Sequence, residues 1–350
     1  MATHRVLGVM SGSSLDGLDL ALCCFQEDQG RWKHTIEDAV TVPFGGDTRG
    51  RLMNAMRADG LELARLHRDL GIRIGEASRD FLAGRHVDLI ASHGHTIFHQ
   101  PAEGLTLQAG CGAHIAALTG RPTACDFRTL DVALGGQGAP LVPMGELLLF
   151  PDHRAFLNIG GICNISMHID GNMTGYDVCI GNQALNELAA EAGMPYDAQG
   201  ALARTGRIMQ DLLYQLDALP FHQQAPPRSL GREWFEASLA PLIRDRATPV
   251  ADRLRTVVEH IAGRTSQALA HAKGPVLVTG GGAFNTFLTE RIRALAAVTI
   301  EVPAPELVSF KEALVFALLG LLRWLGRPNT LASVTGAAHH SSGGALYMPN

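Results

Sequence analysis

The chain has 350 residues, of which 46% are apolar and 18% charged, with a formal net charge of −5. This composition is typical of a globular protein with room for two domains, and it offers no basic surface for nucleic acid or anionic lipid. We expect no leader and no membrane span, because the N-terminus lacks an apolar run and no segment approaches ~18 apolar residues. The six cysteines form no CxxC pair, so we expect reduced thiols in the cytoplasm.

The first predicted elements are two strands, RVLGVM and LDLALCCF, that flank the small polar turn SGSSLDG. Helical periodicity follows over 50–84. A buried strand then leads into SHGHTIFHQP, a helix follows Gly110, and a strand in RPTACDFR ends at Asp126 and Arg128. The next segment, LGGQGAPLVP, predicts a loop or hinge because its glycines and prolines break regular structure.

After this loop the opening pattern recurs, since AFLNIGGICNISMHI again predicts a strand, a small turn and a strand. Helices are predicted at 182–193, 199–218, 232–245 and 250–272. The strand and glycine turn of PVLVTGGGAFN come next, followed by a helix in TFLTERIRALA and another over 311–325. Two such units, about 150 residues apart, predict two α/β halves with mixed sheets and a ligand cleft between them.

The three small turns are candidate phosphate sites. Consecutive backbone amides in such a turn can bind phosphate oxygens, and Asp16 or Asp19 could hold a magnesium ion directly or through water. The first turn alone is better explained as a plain hairpin, and it lacks the lysine of a GxxxxGK loop. Three glycine-containing turns distributed over both halves favour a bound nucleotide.

Two carboxylates are candidates for chemistry. Asp177 is predicted at the end of a strand, and the following helix is expected to be capped near Gly181 or Asn182, which leaves Asp177 available as a general base. Glu312 is predicted in the first turn of an apolar helix. There a favourable interaction with the helix dipole is the preferred explanation, and an acidic contact in the cleft is the alternative.

The histidines and one arginine are candidate substrate contacts. His93, His95 and His99 suggest a metal site by spacing, but no nearby cysteine or carboxylate completes one, so hydrogen bonding or packing is favoured. Arg128 at a strand end suits a carboxylate-bearing ligand. It equally suits an ion pair with Asp126 or Asp131.

Taken together, the motifs resemble the anhydro-N-acetylmuramic acid kinases along nearly the whole chain. The resemblance rests on GVMSGSSLDGLD, SHGHTIFHQP, DFRTLDVALGGQGAPLVP, LNIGGICNIS, GYDVCIGN, VTGGGAFN, KEALVFALLG and SVTGA. It implies the two-domain α/β fold of actin-like ATPases and hexokinase, with RNase H-like sheets and an interdomain cleft. We expect an N-terminal domain of residues 1–133, joined by the tail 337–350, and a C-terminal domain of residues 134–336.

The resemblance also implies ATP and Mg²⁺ as cofactors and assigns site residues. Asp177 matches the catalytic base of the family. Glu312 is expected to be a second catalytic carboxylate that helps to seat the sugar, while His93 and Arg128 are expected to bind the sugar. The metal ligands are left unassigned. The residues expected to bind ATP are Gly12, Ser13, Ser14, Leu15, Asp16, Gly17, Leu18, Asp19, Asn158, Gly160, Gly161, Gly280, Gly281, Gly282 and Asn285.

The reaction implied is the conversion of 1,6-anhydro-N-acetylmuramic acid, water and ATP to N-acetylmuramate 6-phosphate, a step of cell-wall sugar recycling. Asp177 would take the proton of the water that attacks C1. The expected partner is a small amino sugar, with no nucleic acid and no membrane, and a homodimer is a further expectation from the family.

The chain departs from the usual family pattern near the predicted site. Residues 178–182 read VCIGN where TGPGN is usual, Cys111 stands where an acidic residue is common, and His95 stands where Gln is usual. The segment before Glu312, LVSFK, lacks the common aspartate. Two alternatives therefore stay open: a kinase for a different amino sugar, and a nucleotide-gated binding protein of the same fold with little catalysis.

Overall fold

The computed structural model describes residues 2–12, 15–169, 172–226 and 228–349. The chain forms two compact units, the first comprising Met1–Pro151 and Phe310–Asn350 and the second Asp152–Ser309. These boundaries differ from the expected division at 133/134 and 336/337. The reason is packing: the helix Val142–Leu149 packs against the third strand of the first unit, and Lys311 forms a buried ion pair with Glu146 there.

The secondary structure comprises strands, helices and short 3₁₀ or π segments. The strands are β1 (Thr3–Met10), β2 (Gly17–Asp28), β3 (Arg31–Pro43), β4 (Leu89–Ser92), β5 (His95–Gln100), β6 (Leu105–Ala109), β7 (Thr123–Cys125), β8 (Ala155–Ile159), β9 (Ile162–Ile169), β10 (Asn172–Ile180), β11 (Val276–Thr279), β12 (Ile300–Glu301) and β13 (Ala345–Tyr347). The helices are α1 (Gly46–Asn54), α2 (Gly60–Leu82), α3 (Gly112–Thr119), α4 (Thr129–Ala133), α5 (Val142–Leu149), α6 (Asn182–Glu191), α7 (Ala201–Thr205), α8 (Gln210–Asp217), α9 (Arg232–Trp234), α10 (Ala240–Ile243), α11 (Val250–Ala268), α12 (Thr286–Leu295), α13 (Pro305–Trp324) and α14 (Ala332–Thr335). Single 3₁₀ turns lie at Ala55–Arg57, Pro101–Glu103, Ala198–Gly200, Pro220–Gln223, Leu269–His271 and Gly281–Phe284, and a π segment at Phe235–Leu239.

The main sheet of the first unit has the strand order β13-β7-β4-β1-β2-β3. β1, β2 and β3 are antiparallel neighbours, whereas β4 and β7 continue the sheet in parallel with β1. β1 and β4 are apolar over several consecutive residues because helices cover both faces of such a sheet. On one face α2 places Leu66, Leu70 and Ile74 in the core, which is the amphipathic pattern that the sequence predicts.

The sheet of the second unit repeats this arrangement, with the order β10-β9-β8-β11-β12. β8, β9 and β10 are antiparallel neighbours, and β11 and β12 run parallel to β8. Apart from the edge strand β13 and the two-stranded sheet β5-β6 of the first unit, the main sheet of each unit therefore has five strands in the order 3-2-1-4-5, three antiparallel and two parallel. This is the RNase H-like topology shared by actin and hexokinase, which confirms the predicted fold class.

Three predicted helices differ in extent from the observed ones. The segment 50–84 is broken after Arg57, and α2 starts anew because the Asp59 carboxylate caps it by accepting a hydrogen bond from the Glu62 amide. The segment 199–218 is divided into α7 and α8 at Gly206. The helix predicted over 311–325 already begins at Pro305, since proline is well suited to the first helical position.

Candidate active site

The turn between β1 and β2, the predicted first phosphate loop, holds one residue in a left-handed conformation. Leu15 has a φ of 58°, and its N–H donates to the Gly12 carbonyl over 3.3 Å. Ser13 and Ser14 lie outside the described residues. Leu18 is fully buried in the core, so its side chain serves packing and only its backbone could face a ligand.

Asp19 is a partly buried carboxylate near the start of β2, where it pairs with Thr41 of β3. One carboxylate oxygen accepts a hydrogen bond of 2.6 Å from the Thr41 hydroxyl. Burial raises the pKa of Asp19, the Thr41 hydroxyl lowers it, and the charge of Asp16 raises it further. The hydroxyl orients the carboxylate, as outer partners do for groups that bind an ion or water.

His93 is a neutral, oriented ring at the end of β4. Its Nδ1 lies 2.9 Å from the Gly94 carbonyl, which requires a proton on Nδ1, so that Nε2 accepts from Arg128 at 3.0 Å and 2.8 Å. The ring also packs against Phe316 of α13, with centroids 4.6 Å apart. Burial and the Arg128 charge hold the pKa of His93 well below its usual value.

Arg128 follows β7 and keeps its positive charge among neutral partners. Besides His93 it donates to the Gly138 carbonyl at 2.7 Å, and burial lowers its pKa to about 10, against the opposing charges of Glu312 and Asp131. The alternative of an ion pair with a neighbouring aspartate is not realised in the described part of the chain, since Asp131 instead accepts from the Gly138 amide and from Thr335. A cation held in this way is suited to bind an anionic ligand group.

Glu312 lies within α13, more than one turn from its start. The explanation by the helix dipole is therefore wrong, because that interaction is confined to the first turn. Desolvation of the Glu312 carboxylate raises its pKa. The positive charges of Lys311 and Arg128 lower this pKa, whereas the negative charges of Asp19 and Glu146 raise it. The charges of Arg128 and Asp19 thus both act on the Glu312 carboxylate.

In the second unit, four polar residues form a row across the sheet. In strand register, Thr279 of β11 lies beside Asn158 of β8, Asn158 beside Asn164 of β9, and Asn164 beside Asp177 of β10. The second predicted phosphate loop, which joins β8 to β9, is therefore adjacent to Asp177. Its carbonyls at Gly160 and Gly161 accept from amides at the start of α6, which fixes the loop against that helix.

Asp177 is held at an irregularity of β10. The register to β9 shifts between Asp177 and Cys179, as in a β-bulge, which re-aims side chains. Carboxylate oxygen Oδ2 accepts from the Leu230 amide at 2.8 Å. Burial raises the pKa of Asp177, while the Leu230 amide, the Ser229 hydroxyl and the Arg228 charge lower it. α6 begins at Asn182 with Gly181 before it, as predicted, so Asp177 does not cap that helix.

A cavity of about 360 Å³ adjoins the third glycine turn. Gly281, Gly282 and Asn285, three of the residues expected to bind ATP, line it, whereas Gly280 does not. Asn285 accepts from the Leu288 amide at 3.0 Å and so caps α12. The other lining residues are Asn182, Leu185, Asn186, Tyr196, Asp197, Gln199 and Phe284.

Two of the three glycines of this turn are required by close packing. A Cβ at Gly280 would lie 2.5 Å from the Asn158 side-chain oxygen, and Gly280 has a φ of 84°. A Cβ at Gly282 would lie 2.2 Å from a methyl carbon of Ile159. At Gly281 the nearest atom is 3.7 Å away. The turn therefore packs directly on the end of β8, next to the turn that joins β8 to β9.

Comparison with known proteins identifies the family. A sequence model described as "AnmK: Anhydro-N-acetylmuramic acid kinase" matches residues 4–349. The chain belongs to the anhydro-N-acetylmuramic acid kinase family. Curated relatives of that name include proteins of Gloeobacter violaceus (36% identical, 95% of each chain covered), Vibrio cholerae (36%, 98% of each) and Bacillus thuringiensis (31%, 98% of this chain and 99% of that one). Among solved structures, the activator of 2-hydroxyisocaproyl-CoA dehydratase from Clostridium difficile aligns at 13% identity with a TM-score of 0.47, over 90% of this chain and 94% of that one.

Three of the departures from the usual pattern of anhydro-N-acetylmuramic acid kinases lie in defined structural surroundings. Val178, Cys179 and Ile180 are all buried in the core of the second unit, so the altered stretch after Asp177 repacks the interior. His95 is buried, and its Nδ1 lies 2.9 Å from the Ser11 hydroxyl, which ties β5 to the first loop. Cys111 precedes α3, and its amide donates to the His67 carbonyl.

Sequence reasoning missed several residues that the structure places at the site of this family member. Leu230 and Arg228, which contact Asp177, lie more than 50 residues away in sequence. Tyr196 and Phe284 were also missed, although both are large aromatic side chains that remain exposed beside the cavity. Only the proximity of Phe284 to the glycine turn gave a signal in the sequence.

None of the helices in the described ranges combines the length and the apolar character needed to span a bilayer.

Proposed function

We propose that this chain is an ATP-dependent kinase that opens 1,6-anhydro-N-acetylmuramic acid with water and yields N-acetylmuramate 6-phosphate. The observation that carries the proposal is the family match over residues 4–349, supported by relatives of that name that align over nearly their full length. Contacts within each unit support the residue roles that are proposed below.

Asp177 is proposed as the base that takes the proton of the attacking water. In the anhydro sugar O6 is part of the bridge to C1 and carries no proton, so the group to be activated is water. A base requires a fixed orientation and a pKa nearer to neutrality than that of free aspartate. The hydrogen bond from the Leu230 amide fixes the orientation of the Asp177 carboxylate, and burial raises its pKa. When the C1–O6 bond breaks, O6 becomes the acceptor of the γ-phosphoryl group.

ATP is proposed to contact all three glycine turns. The cavity beside Gly281 and Gly282 has the size of a small-molecule pocket and would receive the adenosine. The amides of the first turn and of Gly160 and Gly161 would bind the phosphates, because backbone donors at such turns stabilise phosphate charge without rearrangement.

Arg128 is proposed to bind the lactyl carboxylate of the sugar, and Glu312 to contact the sugar beside it. Support comes from the bonds of Arg128, which go to His93 and to a carbonyl, so its charge remains available for an anion. His93 is neutral and acts by orienting the guanidinium.

Mg²⁺ is proposed to bind together with ATP, and when bound it would neutralise charge on the transferred phosphate. Asp19 and Asp16 offer oxygen ligands of the kind that Mg²⁺ prefers. In the described ranges no group of three His, Cys, Asp or Glu side chains forms a metal cage. In nucleotide-dependent enzymes Mg²⁺ is usually coordinated by water, by phosphate oxygens and by only one or two carboxylates. The six cysteines, all described, form no disulfide, which supports the cytoplasm as the proposed location.

The test is to incubate the full chain with ATP, Mg²⁺ and the anhydro sugar in heavy-oxygen water and to fragment the product promptly. We expect a sugar phosphate with the label at C1 and none in the phosphate ester. The reducing sugar, N-acetylmuramic acid, serves as the control substrate and is expected to remain unphosphorylated.

Two outcomes would contradict the proposal. A product formed only from reducing sugars would indicate an ordinary amino-sugar kinase, in which Asp177 deprotonates a hydroxyl. ATP binding or hydrolysis without any sugar phosphate would indicate a nucleotide-gated binding protein.

A further inference from the structure

One segment outside the predicted motifs contacts Asp177 from the open edge of the sheet. β10 is an edge strand, so the outward backbone groups of Asp177 have no neighbouring strand. The Asp177 amide donates to the Arg228 carbonyl at 3.1 Å, and Arg228 Nε donates back to the Asp177 carbonyl at 3.2 Å. Both backbone groups of Asp177 are thus bound by a single residue.

The same segment binds the carboxylate. The Leu230 amide donates to Oδ2 of Asp177, and the Ser229 hydroxyl also bonds to this side chain. The position of these two donors depends on Arg228, which immediately precedes them. Because β10 is irregular at this point, its own ladder with β9 constrains Asp177 less than a regular strand would.

Arg228 is itself anchored at its far end. Its Nη1 donates to the Gln224 carbonyl at 2.8 Å and, with longer bonds, to the carbonyls of Phe221 and His222. These carbonyls lie at the end of a 3₁₀ turn, where a cation is favoured. The guanidinium also stacks on the ring of Phe221, 4.8 Å from its centroid. The side chain therefore connects a packed turn to the backbone of Asp177.

From this geometry we infer that Arg228 is a positioning residue for the general base. It holds residues 228–230 against β10 and thereby orients the Asp177 carboxylate toward the water that it deprotonates. The inference rests on the proposed function. A displacement of a catalytic group by about 1 Å can reduce turnover by roughly 100-fold, so loss of this anchor should be visible in kcat.

The experiment is a double-mutant cycle between Arg228→Gln and Asp177→Asn in the full chain, with Arg232→Gln as the matched control. Arg232 lies on the same segment with a side chain that is 78% exposed. We expect Arg228→Gln to lower kcat by about 10- to 100-fold with the KM for ATP within about threefold of wild type. In the Asp177→Asn background the same change should lower kcat by less than about threefold, because the carboxylate that it positions is absent. Arg232→Gln should have no effect.

The pH profile adds a readout that a purely structural role would not move. The Arg228 charge lowers the pKa of Asp177, so its removal should shift the acidic limb of kcat to higher pH. Arg228→Lys, which keeps the charge but loses the planar fork, should lower kcat without that shift. If Arg228→Gln fails to fold, the same double-mutant cycle is measured with Arg228→Lys in its place, and its result tests the positioning role.

The outcomes separate this inference from the proposed function. Full turnover in Asp177→Asn would refute the base and, with it, the positioning role. Loss of turnover in Asp177→Asn combined with near-normal kcat in the Arg228 variants would refute the positioning role alone. Equal losses from the Arg228 change in both backgrounds would likewise overturn it, since the residue would then act independently of the carboxylate.

Discussion

The substitution Asp177→Asn tests the proposed chemistry most directly, and the structure allows its effects on folding and on turnover to be separated. Asparagine has nearly the same shape as aspartate, and its side-chain oxygen can still accept the hydrogen bond from the Leu230 amide. The backbone bonds between residue 177 and Arg228 do not involve the side chain. We therefore expect the variant to fold and to bind ATP as the wild type does.

The expected loss of turnover follows from the role of a general base. Such a base contributes roughly 100- to 10,000-fold, which corresponds to about 2.7–5.5 kcal/mol of activation free energy. The KM for ATP should not change, because the cavity beside the third glycine turn is lined by other residues. The assay is the rate of sugar phosphate formation measured by mass, at saturating ATP and anhydro sugar.

Although its turnover should fall, the thermal stability of Asp177→Asn should be higher than that of wild type at neutral pH. Burial raises the pKa of Asp177 above its reference value of 3.8, so the folded protein holds this proton more tightly than the unfolded chain does. Ionised Asp177 therefore lowers stability above that pH, whereas below it both states are protonated and the effect vanishes. The Tm of Asp177→Asn should be close to that of wild type below pH 3.8, exceed it increasingly as the pH rises through the raised pKa of Asp177, and keep a constant difference above that pKa.

Two results would refute this reasoning. Turnover within about tenfold of wild type would show that Asp177 is not the base. A Tm difference that decreases as the pH rises would show that the carboxylate is stabilised, rather than destabilised, by its surroundings.

Three further predictions concern packing. Glu146→Gln leaves Lys311 with an unpaired buried charge and should cost about 3–5 kcal/mol in urea unfolding, whereas Glu27→Gln at an exposed pair should cost less than about 1 kcal/mol; equal costs would contradict the burial of the first pair. Gly282→Ala, whose Cβ meets an isoleucine methyl at 2.2 Å, should lose about 1–3 kcal/mol of stability, while Gly281→Ala, with 3.7 Å of space, should not; a tolerated Gly282→Ala would show that the turn can move. In a thiol titration of the native protein only the two partly exposed cysteines should react, and fast modification of more would contradict the structure. The thiols expected to stay protected until unfolding are Cys23, Cys125, Cys163 and Cys179.

The element types and the recurrence of the fold could be predicted from the sequence, because periodicity and small turns are local properties. The strand–turn–strand units at the starts of both halves are present, and the order of the five strands that the two main sheets have in common agrees with the implied topology. Helix ends were less predictable. α13 begins at Pro305 because proline can start a helix, and this moves Glu312 out of the first turn.

The division into units could not be obtained from composition. The glycine-rich loop after Leu134 predicted a boundary, but α5 follows it and packs on β3, so the first unit extends to Pro151. Such a boundary depends on which elements bury their apolar faces together, and a flexible segment can equally connect two parts of one unit.

By itself, the sequence determined which residue types could do chemistry: the glycine turns, Asp177, Arg128 and the motifs that carry the family resemblance. Only the tertiary structure decided their neighbours. It aligned Asp177 with Asn164 in strand register, paired Arg128 with a neutral histidine in place of an aspartate, and brought Arg228 from 51 residues away to hold the backbone of Asp177. Residue types and periodicities are written in short segments, whereas hydrogen bonds between distant segments exist only once the sheets and helices have packed and fixed the register.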